Sequence, residues 1–179
     1  MPDAAPAAQD LWLRARDRFR ARDYAGAAEL LAPLVERGAG DEGPPMREVR
    51  LQYGVTLLRL KRTEEGVAQL RLAVELDPAN PRAHEKLGVG LGRLGQDLEA
   101  LPCLERAAAM APDNAEYQWR VGEQYRRLGR SEEARAAFQR SLALDPGYRR
   151  AADGLAALGA RRGGWLKRLA RAARRVLGR

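Results

Sequence analysis

The chain has few of the residues from which disulfide frameworks and metal centres are built. Its 179 residues include a single cysteine, Cys103, and a single histidine, His84. Neither a disulfide framework nor a closed zinc site can form within such a chain, and a reducing compartment is expected. The N-terminal segment lacks the basic and apolar regions of a secretory signal, and no run approaches the roughly 20 apolar residues of a membrane span. We therefore expect a cytoplasmic protein that needs no cofactor.

Aromatic residues are also scarce, at 6% of the sequence, and β-branched residues are few. Alanine, leucine and arginine dominate instead, and this mixture favours helices over strands. The composition thus predicts an all-α fold.

Acidic residues are missing from one part of the chain. The formal net charge is +8, from 32 basic and 24 acidic residues. Residues 161–179 contain eight of the basic residues and no acid, so the rest of the chain is electrically balanced. An argument about a charged partner based on net charge therefore applies to this tail and not to the body.

An internal repeat organises most of the sequence. Prolines recur at a constant interval, at positions 44, 78, 112 and 146. When the segments 81–114 and 115–148 are aligned, Gly88 falls over Gly122 and Gly95 over Gly129. Segment 47–80 has Gly54 at the matching place. Such a period is typical of a solenoid of helix pairs.

In this spacing the sequence resembles the tetratricopeptide-repeat (TPR) family, whose pattern has small residues at positions 8 and 20 of the repeat, large apolar residues beside them and proline at 32. The resemblance implies an all-α, right-handed superhelical array of helix-turn-helix repeats. We expect repeats at about 9–42, 47–80, 81–114 and 115–148, with residues 43–46 as an insertion and 147–160 as a capping helix. Residues 1–8 are expected to be disordered, and 161–164 to form a hinge.

Polar residues and prolines mark the expected helix ends. Asn80 precedes Pro81, the arrangement of an N-cap followed by an N1 proline. Thr63, Asp97 and Ser131 are expected to cap the second helices of their repeats. Pro33 and Pro102 fall inside second helices and are expected to kink or shorten them.

Three sequence features that could indicate a chemical site are better explained by structural roles. Gly90, Gly92 and Gly95 form a GxGxxG pattern, but it follows no strand, so nucleotide binding is not expected. His84 has no second histidine or cysteine pair, and Cys103 has no predicted base, so both are interpreted as packing residues. No catalytic residue is assigned, and the chain is predicted not to be an enzyme.

The resemblance implies that partners bind in a concave groove lined by the first helix of each repeat. Carried over position by position, it predicts an apolar strip with an arginine rim, which suits an amphipathic partner peptide or helix with acidic residues. The predicted groove residues are Arg20, Leu51, Val55, Leu58, Arg59, Val89, Arg93, Trp119, Glu123, Arg126 and Arg127.

The same positions lack the lysines and asparagines of the carboxylate clamp found in TPR co-chaperones. Leu51 and Val55 stand where the clamp needs polar residues, so binding of a chaperone C-terminal tail is not expected. An adaptor is the leading interpretation, and a small chaperone for a secreted or membrane client is the alternative. Self-association through the groove remains open.

The segment 165–179 combines an apolar arc with a basic arc at about 100° per residue. This predicts a basic amphipathic helix that binds an anionic membrane surface peripherally. Docking into a protein groove, including packing back onto the array, is the second interpretation. Nucleic-acid contact is disfavoured, because phosphate binding needs no apolar stripe. The residues assigned to the membrane are Trp165, Leu166, Lys167, Arg168, Leu169, Arg171, Arg174, Arg175, Val176 and Leu177.

Overall fold

The computed structural model describes residues 8–38 and 43–159, which form nine α-helices and no strand. The prediction of an all-α fold is confirmed for this part of the chain. The helices are α1 (Ala8–Arg20), α2 (Tyr24–Arg37), α3 (Met46–Arg59), α4 (Thr63–Leu76), α5 (Pro81–Arg93), α6 (Asp97–Met110), α7 (Ala115–Arg127), α8 (Ser131–Leu144) and α9 (149–159).

The helices belong to two compact units. The first extends to Met110 and contains α1–α6, and the second starts at Ala111 and contains α7–α9. Within the units, consecutive helices pack as antiparallel pairs, α1 with α2, α3 with α4, α5 with α6, and α7 with α8. In the first unit α2 also packs on α3 and α4 on α5, which makes the pairs a continuous stack.

A glycine on the first helix of a pair allows the two helices to approach closely. A Cβ on Gly88 would lie 2.6 Å from Leu104 Cγ of α6. Likewise, a Cβ on Gly54 would lie 2.7 Å from Leu70 Cγ of α4. Real Cβ atoms do not tolerate such distances, so the large residue of the second helix fills the space that the glycine leaves.

The N-caps of the helices agree with the sequence prediction only in part. Asn80 caps α5, as predicted, by accepting hydrogen bonds from the amides of Arg82 and Ala83. Thr63 and Ser131 do not cap α4 and α8. They are the first helical residues, and the cap positions belong to Arg62 and Arg130 without a side-chain cap bond.

An arginine fork replaces the missing cap at these two starts. Arg62 donates two hydrogen bonds to Glu65, of 2.7 and 2.5 Å, and Arg130 contacts Glu133 through Nε and Nη2. These acids stand in the first turn, where the helix dipole favours negative charge. The guanidinium has only donors and cannot accept from the free amides, so the arginine acts by holding the glutamate in this turn.

The two internal prolines do not shorten their helices, so that part of the prediction is wrong. The α2 and α6 helices, with Pro33 and Pro102, have 14 residues each, the same length as α4 and α8. Pro102 deprives the Leu98 carbonyl of its hydrogen bond. Both residues are exposed, so this side of α6 faces water, which can satisfy the carbonyl.

Some expectations concern residues that the structure does not describe. They include the disordered N-terminus, except for Ala8, which is the first residue of α1. The hinge 161–164 and the helix 165–179 also lie outside the described residues.

The turn between the helices of a pair places one residue in the left-handed region. Gly95 and Gly129 take this conformation, with φ of 76° and 75°, but Lys61 takes it in the α3–α4 turn with φ of 64°. The left-handed conformation costs a residue with a Cβ about 1–2 kcal/mol. The α3–α4 turn therefore contains strain that the later turns avoid.

We expect Lys61→Gly to stabilise the protein by about 0.5–1 kcal/mol, because relief of the strain exceeds the entropy cost of an added glycine. Gly95→Ala should destabilise it by about 1 kcal/mol, since its Cβ would meet no atom within 4 Å and only the backbone cost remains. Urea unfolding followed by circular dichroism measures both changes. A loss of stability in Lys61→Gly would contradict the assignment of strain.

Candidate partner-binding surface

The predicted apolar strip of the groove is not an open surface in the first unit. Leu51, Val55 and Leu58 of α3 are only 3%, 5% and 5% exposed. They belong to a core cluster that also contains Ala83, Leu87 and Leu91 of α5. Their assignment as partner-contacting residues is therefore corrected, because the positions that the resemblance assigned to the groove lie in a core formed with α4 and α5.

Close packing on α5 contributes to this burial. A Cβ on Gly90 would lie 2.7 Å from Val67 of α4. Gly90 therefore allows α5 to approach the preceding helix pair, just as Gly88 allows it to approach α6. In the sequence, Gly90 was considered only as part of the GxGxxG pattern, which was not expected to bind a nucleotide. Its role in helix packing was not predicted.

The α5 helix is buried on nearly every side. Apart from Pro81 at its start, only four of its residues are not buried, and their spacing of four, three and four puts them on one face. We call these four residues, Arg82, Lys86, Val89 and Arg93, the α5 stripe. It contains three cations and one apolar side chain. Of the predicted groove residues on α5, Val89 is partly exposed and Arg93 is exposed.

The cations of the α5 stripe differ in how they are held. Arg93 Nη1 donates a 2.8 Å hydrogen bond to the carbonyl of Leu58, in the last turn of α3, where a cation is favourable. Lys86 Nζ lies 2.7 Å from Glu85, whose side chain is almost fully buried. Arg82 is exposed, and its guanidinium contacts no acid within the described residues.

Lys86 was not among the predicted groove residues. Its neighbour Glu85 is 1% exposed, and the stripe passes through Lys86. A helical residue one place further is rotated by about 100°. Only the packing of the neighbouring helices decides which of the two reaches solvent.

Two further predicted arginines lie at the ends of first helices. Arg59, at the end of α3, is exposed, and it is next to Leu58, whose carbonyl binds Arg93. Arg59 therefore lies close to the C-terminal end of the α5 stripe. Arg20, at the end of α1, is exposed but pairs with Asp17 at 3.2 Å within its own helix.

In the second unit, Trp119 is the centre of an aromatic and cationic cluster. The guanidinium carbons of Arg120 and Arg150 lie 5.2 and 5.1 Å from its ring centroid, and Tyr148 packs at 6.0 Å. Burial and the charge of Glu116 raise the pKa of Tyr148 above its ordinary value. Trp119 remains partly exposed.

The other predicted residues of this unit are largely engaged with each other. Arg126 donates two hydrogen bonds to Glu123, of 3.0 and 2.8 Å. This pairing raises the pKa of Arg126. Arg127 is exposed at the end of α7. Thus Glu123 and Arg126 neutralise one another, and Trp119 is better placed than either of them to meet a ligand.

The two residues that the sequence analysis interpreted as packing residues, His84 and Cys103, are buried and half-buried. His84 is buried, and its Nε2 lies 3.0 Å from the carbonyl of Pro78, which can accept a hydrogen bond from it. Burial raises the pKa of the Cys103 thiol, and the nearby Arg71 only partly offsets this, so the thiol stays protonated. Within the described residues, no group of His, Cys, Asp and Glu is arranged to hold a metal ion.

None of the helices among the described residues is long and apolar enough to cross a membrane. The residues assigned to an anionic membrane, Trp165 to Leu177, lie outside the part of the chain that the structure describes. Their assignment therefore stays a prediction.

Replacing Leu58 tests whether this leucine is a core residue or a groove residue. We expect Leu58→Ala to cost about 2–4 kcal/mol of unfolding free energy, because it leaves a cavity in the cluster of α3 and α5. Urea unfolding measures this loss. A cost below about 0.5 kcal/mol, the usual range for surface positions, would indicate that Leu58 lies on an open groove after all.

Comparison with known proteins agrees with this architecture. A sequence profile described as tetratricopeptide repeat matches residues 13–81 and 86–149, most of the chain. No curated protein sequence matches significantly. The fold is similar to solved structures of MamA.

One of them, MamA from Desulfovibrio magneticus RS-1 starting at its residue 41, is 23% identical with a TM-score of 0.78, over 89% of this chain and 87% of that one. Another MamA crystal structure is 20% identical with a TM-score of 0.74, over 83% and 84% of the two chains.

YrrB, described as a TPR protein with an unusual peptide-binding site, is 20% identical with a TM-score of 0.69, over 78% of this chain and 69% of its own. At these identities the likeness concerns the fold alone, whereas the profile match covers the repeats themselves. The chain therefore belongs to the tetratricopeptide-repeat family, a generally non-catalytic fold whose members act as scaffolds for protein or peptide partners.

Proposed function

We propose that this protein is a cytoplasmic scaffold that binds an acidic segment of a partner protein along the α5 stripe. The observation that carries the proposal is that the accessible face of α5 contains three cations around one valine. The acid closest in sequence, Glu85, is buried against Lys86, so it neutralises only part of this charge.

The stripe has the chemistry to recognise carboxylates. An arginine fork can hold a carboxylate by two parallel hydrogen bonds, and Arg82 can do so on its exposed side. Val89 offers a small apolar contact between the cations. An amphipathic helix with acidic residues at matching spacing satisfies both demands.

The rigidity of α5 favours binding on this face. Its other sides are packed against α3, α4 and α6, and Arg93 is fixed by its bond to the Leu58 carbonyl. Binding to a preorganised surface loses less conformational entropy than binding to mobile side chains. Arg59, beside the end of the stripe, adds a further cation for an acidic residue of the ligand.

The second unit offers a separate contact of the same kind. Trp119 is partly exposed, and Arg150 is exposed against its ring. An aromatic ring with an adjacent guanidinium suits a ligand with apolar and acidic side chains. We propose that this cluster binds such side chains as a contact of its own.

Charge reversal at Arg82 tests the main contact. The probe is a fluorescent amphipathic helical peptide with glutamates at i, i+4, i+7 and i+11, compared with the same peptide carrying lysines. We expect Arg82→Glu to weaken binding of the acidic peptide about tenfold, because one attraction becomes a repulsion. Fluorescence anisotropy measures the dissociation constant.

Arg106→Glu is the matched control, since Arg106 is also exposed but lies on the second helix α6. Both variants change the net charge equally, so unspecific attraction weakens equally in both. Equal affinities of the two variants for the acidic peptide would overturn the assignment to the α5 stripe.

We also propose that residues 165–179 attach the scaffold to an anionic membrane surface. The support is their sequence, in which Trp165, Leu166 and Leu169 share an arc that contains no charge. Each basic residue near such a surface contributes about 1 kcal/mol.

Co-sedimentation with anionic and neutral vesicles tests this attachment in the full chain. We expect binding to anionic vesicles only, and its loss in the double variant Leu166→Glu and Leu169→Glu. Leu98→Glu is the control, because Leu98 is an exposed leucine at a position where neighbouring repeats have Glu64 and Glu132. Failure of the unmodified chain to bind anionic vesicles would rule out the attachment.

A further inference from the structure

The last described helix, α9, has an open side where α5 is covered. In α5, Gly88 packs on its partner helix α6, and His84, Leu87 and Leu91, which share that side of the helix, are buried as well. The residues at the same places two repeats later are Ala152, Leu155, Ala156 and Gly159. Leu155 is partly buried, and the other three are exposed.

The remainder of α9 is firmly packed. Ala151 and Leu158 join Phe138 and Ala134 of α8 in one buried cluster. A Cβ on Gly154 would lie 2.7 Å from the ring of Phe138. The α9 helix is thus fixed on α8, while the side that a second helix would cover remains open.

The sequence after α9 has the spacing of a turn and a second helix. Gly163 stands one repeat period after Gly129, and Gly95 and Gly129 form the turns within the preceding pairs with positive φ. The helices α2, α4, α6 and α8 have 14 residues each. The segment 165–179 is only one residue longer, so its length matches that of a second helix.

The register of this segment requires one additional residue in the turn. Ala134 is buried at the helix crossing, and the residue one repeat period later is Arg168, which cannot replace it. The next residue, Leu169, is apolar, and the second glycine, Gly164, supplies the extra position. In this register Ala173 opposes Ala156 as Phe138 opposes Gly122 in the preceding pair.

We infer that residues 165–179 pack on the open side of α9 as the second helix of a fifth pair. The small side chains of Ala152, Ala156 and Gly159 allow a close approach, and the apolar arc of the segment supplies the larger groups that such a side needs. The basic arc then faces water. Because the docked form buries the apolar arc on which membrane attachment depends, an anionic surface competes with α9 for this segment.

Hydrogen exchange on the full chain, without lipid, tests the docked form. We expect the amides of residues 166–176 to exchange at least about tenfold more slowly than unstructured ones. Ala156→Glu should abolish this protection, because it places a charge on the open side. Ala157→Glu is the matched control, since Ala157 is also exposed but lies about 100° further around α9.

Three results would overturn the inference. They are no protection in the unmodified chain, equal protection in both variants, and protection that disappears on dilution, which would assign the contact to a second copy of the chain. Vesicle binding is a separate measurement, so a failure of docking and a failure of membrane attachment are distinguishable. If both interactions exist, Ala156→Glu should also bind anionic vesicles more tightly.

Discussion

The close crossing of two helices at a glycine is the contact on which three of the described helix pairs depend. In the pairs α3–α4, α5–α6 and α7–α8, the same repeat position holds a glycine against a large apolar residue of the second helix. The partners of Gly54, Gly88 and Gly122 are Leu70, Leu104 and Phe138. Because a β-carbon would displace these side chains, the small residue sets the distance between the helices. That distance in turn determines which residues of the first helix are covered.

The surface that we propose for partner binding follows from this packing. Burial of α5 by α6 on one side and by α3 and α4 on others leaves one face of the helix accessible. Arg93 links that face to the end of α3 through the Leu58 carbonyl. The function of a scaffold thus depends on what the core leaves uncovered. The helix backbone that carries the exposed residues is held in place because their neighbours on the same helix are buried.

Much of the fold was predictable because it depends on local pattern. The constant spacing of the prolines, the small residues at crossings and the cap at Asn80 are visible in the sequence, since each reflects a contact repeated at a fixed period. The caps at Thr63 and Ser131 were predicted wrongly, because the preceding arginines occupy the cap positions. The shortening by Pro33 and Pro102 was also wrong, because packing on the rest of each helix outweighs one lost hydrogen bond.

The sequence by itself determined the family, the all-helical class and the order of the helix pairs. Only the tertiary structure decided which first-helix residues are accessible, and it buried Leu51, Val55 and Leu58 while leaving Lys86 partly exposed beside a buried Glu85. The physical reason is that periodicity specifies a direction around one helix, whereas accessibility depends on every helix packed against it. A repeat pattern derived from one pair cannot contain that information, since it comes from the neighbouring pairs.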